Sequence, residues 1–277
     1  MPSARFRCQI PARRRAILDP LPLFRFQEFI DPDPAELALL DSICGRVDHL
    51  PVRALLHRQG DRVGRIYLLV RGWVSSNVAV PGGEQQIVKI HFPGDLLGTP
   101  SIVVERAAET LTALTPISVR SIRYEDFGRV FVEAPRLGAV LFLSGQLERV
   151  ALMDRLTSIG RTRAVSRLAA FLVQTHDRLR LVEPDRPPVL DLPLTQSELA
   201  DLLGITPVHM NRTFRELDLT GFIARRRMHI ELRSLVDLRA LAHLTGHRTR
   251  RDHGWLQRSG SMSQPITVEL TETRSAE

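Results

Sequence analysis

The sequence predicts an α+β chain: a strand-rich N-terminal half, a long helix, and a C-terminal helix–turn–helix closed by a β-hairpin. Three observations predict it. Between about 50 and 123, short apolar runs are divided by glycine and proline, as in a sandwich or barrel. From Ala134 to about Arg180, apolar residues recur at helical spacing over a length unusual for one packed helix. From Thr195 to Met210, two sets of helix-capping residues flank Gly204.

The elements follow in order. Residues 1–20, with Arg5, Arg7, Arg13, Arg14 and Arg15, are expected to form a flexible basic arm. The strand-rich domain is expected over 21–133. A short helix over 33–47 places Leu37, Leu40, Ile43 and Val47 on one face, after the punctuation Asp31-Pro32-Asp33-Pro34. Ile66–Val70 reads as a buried strand, Ser76–Val80 alternates, Pro81–Glu84 turns, and Gln85–Phe92 resumes the strand. The long helix is expected over 134–160, with Leu137, Val140, Leu141, Leu147, Val150 and Ala151 forming a seam that serves a second copy. Part of that face must also pack on its own strand domain. Gly160 is expected to break the helix. A second helix over 162–181 carries Val165, Leu168, Leu172 and Leu179, and the turn-rich run Glu183–Pro188 leads into the last module. The C-terminal unit is expected over 161–245, and the polar, aperiodic stretch 246–277 reads as a disordered tail.

That last module carries the chemistry. Thr195 caps a helix and Glu198, three residues on, completes a capping box. Leu199, Leu202 and Leu203 form one apolar face, Gly204 supplies a left-handed stop and Ile205 fills the angle. Thr206 caps a second helix that opens with Pro207, whose missing N–H costs nothing there. The second helix exposes His209, Asn211, Arg212 and Arg215, which can donate to bases or phosphates. A hairpin follows, Phe222–Arg225 and Met228–Leu232, with Arg225, Arg226 and Arg227 at its tip and no glycine or asparagine to relax the turn. A helix–turn–helix with a basic wing is the unit that lays its second helix in the major groove of double-stranded DNA.

Composition agrees. The 277 residues carry a net charge of +7, which suits a polyanion. Lys89 is the only lysine. Arginine's planar fork suits guanine and phosphate, although a GC-rich genome gives the same bias. The two cysteines, Cys8 and Cys44, form no metal motif. No run approaches the roughly 18 apolar residues of a membrane span, and the N-terminus lacks an apolar signal segment, so a cytoplasmic protein is expected.

Taken together, Arg58-Gln59-Gly60-Asp61, Tyr67-Leu68-Leu69-Val70-Arg71-Gly72, Phe92-Pro93-Gly94-Asp95-Leu96-Leu97-Gly98 and the helix–turn–helix resemble the Crp/Fnr family of bacterial transcription regulators, over about 33–240. The resemblance implies a cyclic-nucleotide-binding-like β-roll, a long dimerisation helix and a winged helix. It further implies a homodimer on a near-palindromic operator, control by an effector in the β-roll, and contact with RNA polymerase. Arg212 matches the family's guanine-reading arginine. Val208 replaces a glutamate there, and can contact a thymine methyl but cannot accept from cytosine. Thr195, Gln196 and Thr206 match positions that touch phosphate.

The effector is harder to read. Nucleotide-binding relatives use Gly-Glu-Leu and then Arg-Ser or Arg-Thr; here Gly98-Thr99-Pro100-Ser101 and Ala107-Ala108-Glu109-Thr110 stand instead, with Arg106 one residue away. Loss of the glutamate, and Glu109 beside an anionic ligand, argue against cyclic AMP. Two cysteines are too few for a four-thiolate iron–sulfur cluster. His49, His57 and His91 are candidate haem ligands. A cyclic-nucleotide- or haem-responsive regulator, an unidentified small molecule, and control by abundance alone all stay open, and no cofactor is assigned. Two rival classes are weaker. A cupin-like metalloenzyme needs clustered histidines that this region lacks. A regulator working through a protein partner leaves the basic wing unused.

Overall fold

The computed structural model describes residues 21–22, 24–79, 82 and 85–243. The expected basic arm and polar tail lie outside these residues, as does most of the turn at Pro81–Glu84.

The chain opens with α1 (Phe24–Gln27) and α2 (Pro34–Ile43). Asp33 caps α2 through a full capping box with Glu36, its carboxylate accepting from the Glu36 N–H at 2.9 Å. The helix stops at Ile43 rather than at 47 because Gly45 donates to the Ser121 carbonyl at 2.8 Å and pulls the chain into a sheet. Residues Val47–Leu50 therefore form β1, paired with 117–120. The strands β2 (Leu55–His57), β3 (Arg65–Arg71), β4 (Val74–Ala79), β5 (Gln85–His91) and β6 (Leu96–Leu97) follow. A 3-10 turn at Thr99–Val103 leads to β7 (Thr110–Ala113) and β8 (Ile117–Arg123).

These eight strands make two antiparallel sheets, ordered β1-β8-β3-β6 and β2-β7-β4-β5. Leu69, Val74, Leu97, Leu111, Ala113, Ile117 and Val119 fill the space between them. The strand β3 is apolar on both faces, since Leu69 points into the roll while Ile66 and Leu68 pack outward against helices. Gly72 is required at the β3–β4 turn: its φ is +85°, and a Cβ would sit 2.5 Å from the Pro116 carbonyl oxygen.

Two helices seal the roll, α3 (Tyr124–Glu133) and α4 (Pro135–Arg161). The 27-residue α4 does not break at Gly160. It runs to Arg161, and the chain leaves the helix at Thr162. Leu137 and Val140, expected on a partner-facing seam, are fully buried against α2 and the roll, and Leu141 and Leu147 pack half-buried beside them. Val150 is half-exposed and Ala151 exposed. The exposed apolar stripe is a different one: Phe142, Leu152, Met153, Leu156 and Ile159. The sequence pattern merges two faces of one helix, and only the position of the roll separates them.

The C-terminal unit comprises α5 (Ala164–Val182), β9 (Val189–Asp191), α6 (Gln196–Leu203), α7 (Pro207–Leu219), β10 (Ile223–Arg226), β11 (His229–Leu232) and α8 (Leu235–Leu241). Its core, including Leu168, Leu172, Leu199, Met210, Phe214 and Leu217, is continuous with Ile87, Ile90 and Phe92 of the roll. No single described helix is long and apolar enough to cross a membrane.

A buried fork ties the base of α4 to α2. Arg136 donates to both Glu36 carboxylate oxygens, at 3.0 and 2.7 Å, and to the Asp31 carbonyl at 2.9 Å. Both side chains are at least nine-tenths buried. Removing one partner strands the other charge, so Arg136→Ala should destabilise the roll by about 3 kcal/mol, read as a lower urea midpoint at unchanged slope. An unchanged midpoint would mean the fork contributes nothing net.

Candidate nucleic-acid interface

The helix–turn–helix forms as its capping residues dictate. Thr195 Oγ1 accepts from the Glu198 N–H at 3.1 Å, and Glu198 Oε2 accepts from the Thr195 N–H at 2.7 Å. Gly204 ends α6 at φ +66°. Thr206 Oγ1 accepts from the His209 N–H at 3.2 Å and Pro207 occupies the first turn of α7.

The amphipathic split of α7 positions the site. Met210, Thr213, Phe214 and Leu217 are buried, while Val208, His209, Asn211, Arg212 and Arg215 are exposed on the other face. Val208 is 67% exposed. The Asn211 side-chain amide donates back to the Pro207 carbonyl at 3.4 Å. Thr195, Thr206 and Pro207 are exposed and Gln196 half-buried, at the N-terminal ends of the two helices, where free N–H groups favour anions.

The wing departs from expectation at one residue. Arg226 pairs with His229, so the turn falls on Arg227 and Met228, with Arg227 at φ +60°. Arg226 and Arg227 are exposed. Arg225, expected at the tip, is instead turned inward. Its Nε donates to Asp218 Oδ2 at 3.0 Å, and its guanidinium lies 4.3 Å from the centre of the Phe214 ring. Spacing does not reveal this, because the partners sit seven and eleven residues back on α7. Arg225 thus clamps the wing to the second helix.

Sequence reasoning also missed a contribution from the roll. Arg53 Nη1 donates to Glu198 Oε1 at 2.5 Å, bringing a half-exposed guanidinium to the N-terminus of α6. The two residues lie 145 positions apart, and no local pattern marks the pair.

The expected effector pocket assembles in part. Gly98, at φ +78°, lies against the His57 ring, and a Cβ there would meet His57 Cε1 at 3.2 Å. Ser101 is buried, its Oγ accepting from the Ala108 N–H at 3.1 Å. Thr110 Oγ1 accepts from the Gln59 N–H at 2.9 Å. Thr99 is half-buried and Pro100 exposed. Arg106 is not brought in: it is exposed, and its Nη1 donates to the Gly60 carbonyl at 3.0 Å. Glu109 is buried with Oε1 unpartnered; burial pushes its carboxyl above the usual range, against a hydrogen bond from Ser76.

The histidines lie apart in role. His49 Nδ1 lies 2.9 Å from Ser118 Oγ at the surface. His91 Nε2 lies 2.7 Å from Ser76 Oγ, and burial, with Lys89 adding to it, pushes this imidazole down to about 3. Burial also lowers His57. Among the described residues, no group of three or more His, Cys, Asp or Glu side chains is arranged to hold a metal ion.

Known proteins match this arrangement. A Crp-like helix-turn-helix domain matches residues 166–243, and a cyclic nucleotide-binding domain matches residues 47–133. The chain is 29% identical to the nitrogen fixation regulation protein FixK of Bradyrhizobium diazoefficiens, over 69% of this chain and 79% of that protein. It is 25% identical to the fumarate and nitrate reduction regulatory protein of Escherichia coli, over 76% and 83% respectively. Among solved structures, FixK2 from Bradyrhizobium japonicum superposes with a TM-score of 0.64 at 22% identity, over 71% of this chain and 96% of that one. A CooA mutant from Carboxydothermus hydrogenoformans gives 0.58 at 18% identity, over 78% and 99%.

The two kinds of wing arginine should separate in a melting experiment. Arg225→Ala removes an ion pair and a ring contact, and should destabilise the C-terminal unit by about 1–2 kcal/mol. Arg226→Ala and Arg227→Ala should each stay within about 0.5 kcal/mol of the parent. Equal losses at all three positions would refute the clamp.

Proposed function

The chain belongs to the Crp/Fnr family of transcription regulators, and from that premise we propose that it acts as a homodimer whose two α7 helices enter successive major grooves of a near-palindromic operator. One observation carries this reading: Val208, His209, Asn211, Arg212 and Arg215 stand exposed on a capped helix whose opposite face is fully committed to the core. A helix so anchored presents its outer face as a rigid unit, which groove reading requires.

Roles follow from reach and chemistry. Arg212 reads guanine through its two-pronged donor face. Val208 meets a thymine methyl, and His209, Asn211 and Arg215 contact neighbouring bases or phosphates. Thr195, Gln196, Thr206 and Pro207 set register against the backbone, where helix N-termini favour phosphate. Arg226 and Arg227 contact the backbone through the wing. The second copy packs on the stripe Phe142, Leu152, Met153, Leu156 and Ile159, whose 142–152–156–159 spacing fits a heptad seam.

The β-roll is the sensing domain in this reading, and its effector is not cyclic AMP. Glu109 places a carboxylate inside the pocket, and the nearby cation, Arg106, faces outward. An anionic phosphate meets repulsion there: Arg106 is turned away, and Lys89, which also acts on Glu109, is paired with Glu148 at 2.5 Å. Two cysteines also leave a four-thiolate cluster without its ligands. RNA polymerase is the natural protein partner of such a regulator, and the cytoplasm its place of action.

Selection of random duplexes by the purified chain tests the proposal, with a palindromic motif expected. Arg212→Ala should then lose about 1–3 kcal/mol on the selected site and relax preference at one base pair per half-site. Equal loss on selected and random DNA would remove Arg212 from base reading. Replacing both Arg226 and Arg227 by alanine should weaken all duplexes alike and flatten the salt dependence by roughly 0.9 per lost phosphate contact. An unchanged slope would take the wing off the DNA.

A further inference from the structure

Arg155 stands on α4 one turn from the exposed Leu152 and next to the exposed Leu156. Its guanidinium is directed at backbone carbonyls. It donates through Nη1 to the Val88 carbonyl and through Nη2 to the Leu202 carbonyl, with a longer contact to Ile87 at 3.4 Å. One side chain thereby joins the long helix, the β-roll and the helix–turn–helix.

Both carbonyls are ones the secondary structure leaves free. Among the described residues, the strand β5 lies at the edge of its sheet, paired only with β4. Its register shifts at this point: Lys89 faces Ser76 and Ile87 faces Asn77, so Val88 is the extra residue of a bulge. Leu202 lies in the last turn of α6, whose final carbonyls have no partner within the helix. A planar fork with several donors satisfies two such acceptors at once, which a single ammonium at a fixed position does not. Arg167 supports the same helix end, with Nε donating to the Leu203 carbonyl at 3.2 Å.

From this geometry we infer that Arg155 is a positioning residue for DNA recognition: it fixes the angle of the helix–turn–helix against α4, and so the spacing at which a dimer presents its two recognition helices. The inference rests on the dimeric DNA-binding reading above. The helix that carries the exposed apolar stripe also carries the residue that holds α6, so the partner interface and the reading head share one rigid element.

The test is selection from a random duplex pool by the full chain and by Arg155→Met, which keeps the apolar stem and removes every donor. Light scattering and circular dichroism establish mass and fold. The parent should enrich paired half-sites at one spacing. Arg155→Met should enrich the same half-site bases at several spacings, and bind the parent's best duplex about tenfold more weakly. Where Arg155→Met fails to fold, Arg155→Lys carries the same expectation of broadened spacing, since it keeps the charge but not the fork. A variant that keeps the single spacing overturns the proposal, whether its affinity is unchanged or merely lowered, because a purely structural residue gives that result. Absence of paired half-sites with the parent itself defeats the dimeric reading and this inference with it.

Discussion

An uncovered sheet edge sets the terms for this molecule. The strand β5 has β4 on one side and, among the described residues, no strand on the other, and its bulge at Val88 leaves carbonyls pointing outward. Its apolar side chains Ile87 and Ile90, with Phe92 beyond the strand end, cannot stay in water without exposing a patch prone to association. The C-terminal unit covers them. Leu199, Leu202 and Leu203 of α6 join the same buried cluster, and Arg155 satisfies the edge carbonyls. Docking the reading head is thus the way this β-roll completes itself.

Charge reinforces the docking. Arg178 on α5 donates to Asp95 Oδ1 at 2.5 Å and lies 5.9 Å from the centre of the Phe92 ring, which stacks edge-on against Trp73 at 4.6 Å. Burial pushes the Asp95 carboxyl up, but Arg178, Lys89 and Arg25 together outweigh it and hold the group below its ordinary range. The carboxylate is therefore ionised where it is needed, between the two halves. His91, next to it in the roll, is held neutral and tied to Ser76, which Glu109 also engages. The chain of polar contacts from Glu109 through Ser76 ends at His91, whose Nδ1 makes no hydrogen bond and lies 3.9 Å from Asp95 Oδ2.

What could be read from the sequence was local. The capping box at Thr195 and Glu198, the left-handed Gly204 and the cap at Thr206 each depend on residues within four positions, and each forms as expected. The break between β3 and β4 was also marked locally by Gly72, where a neighbouring carbonyl excludes any side chain. The main failures are not of that local kind. Helix α2 ends early because Ser121 captures Gly45. Leu137 and Val140 are taken from the expected seam by the roll, leaving Phe142, Leu152 and Leu156 outside. Arg225, Arg106, Arg53 and Arg155 look alike in a sequence rich in arginine, yet Asp218, Gly60, Glu198 and two orphan carbonyls give them four different roles. An arginine's role is decided by the acceptor that the fold brings within its reach.

The central claim is that the reading head sits in one fixed position on its own roll, so that the proposed dimer presents two recognition helices at a set separation before DNA binds. Spin labels placed at Leu219→Cys, at the exposed end of α7, would measure this by dipolar spectroscopy. Cys8→Ser removes one competing thiol. Cys44 is buried, and burial raises its thiol to about 11, so it takes up little label. One narrow distance distribution in the absence of DNA is the predicted result. A broad or two-peaked distribution would contradict it, and would mean that the C-terminal unit swings free of β5.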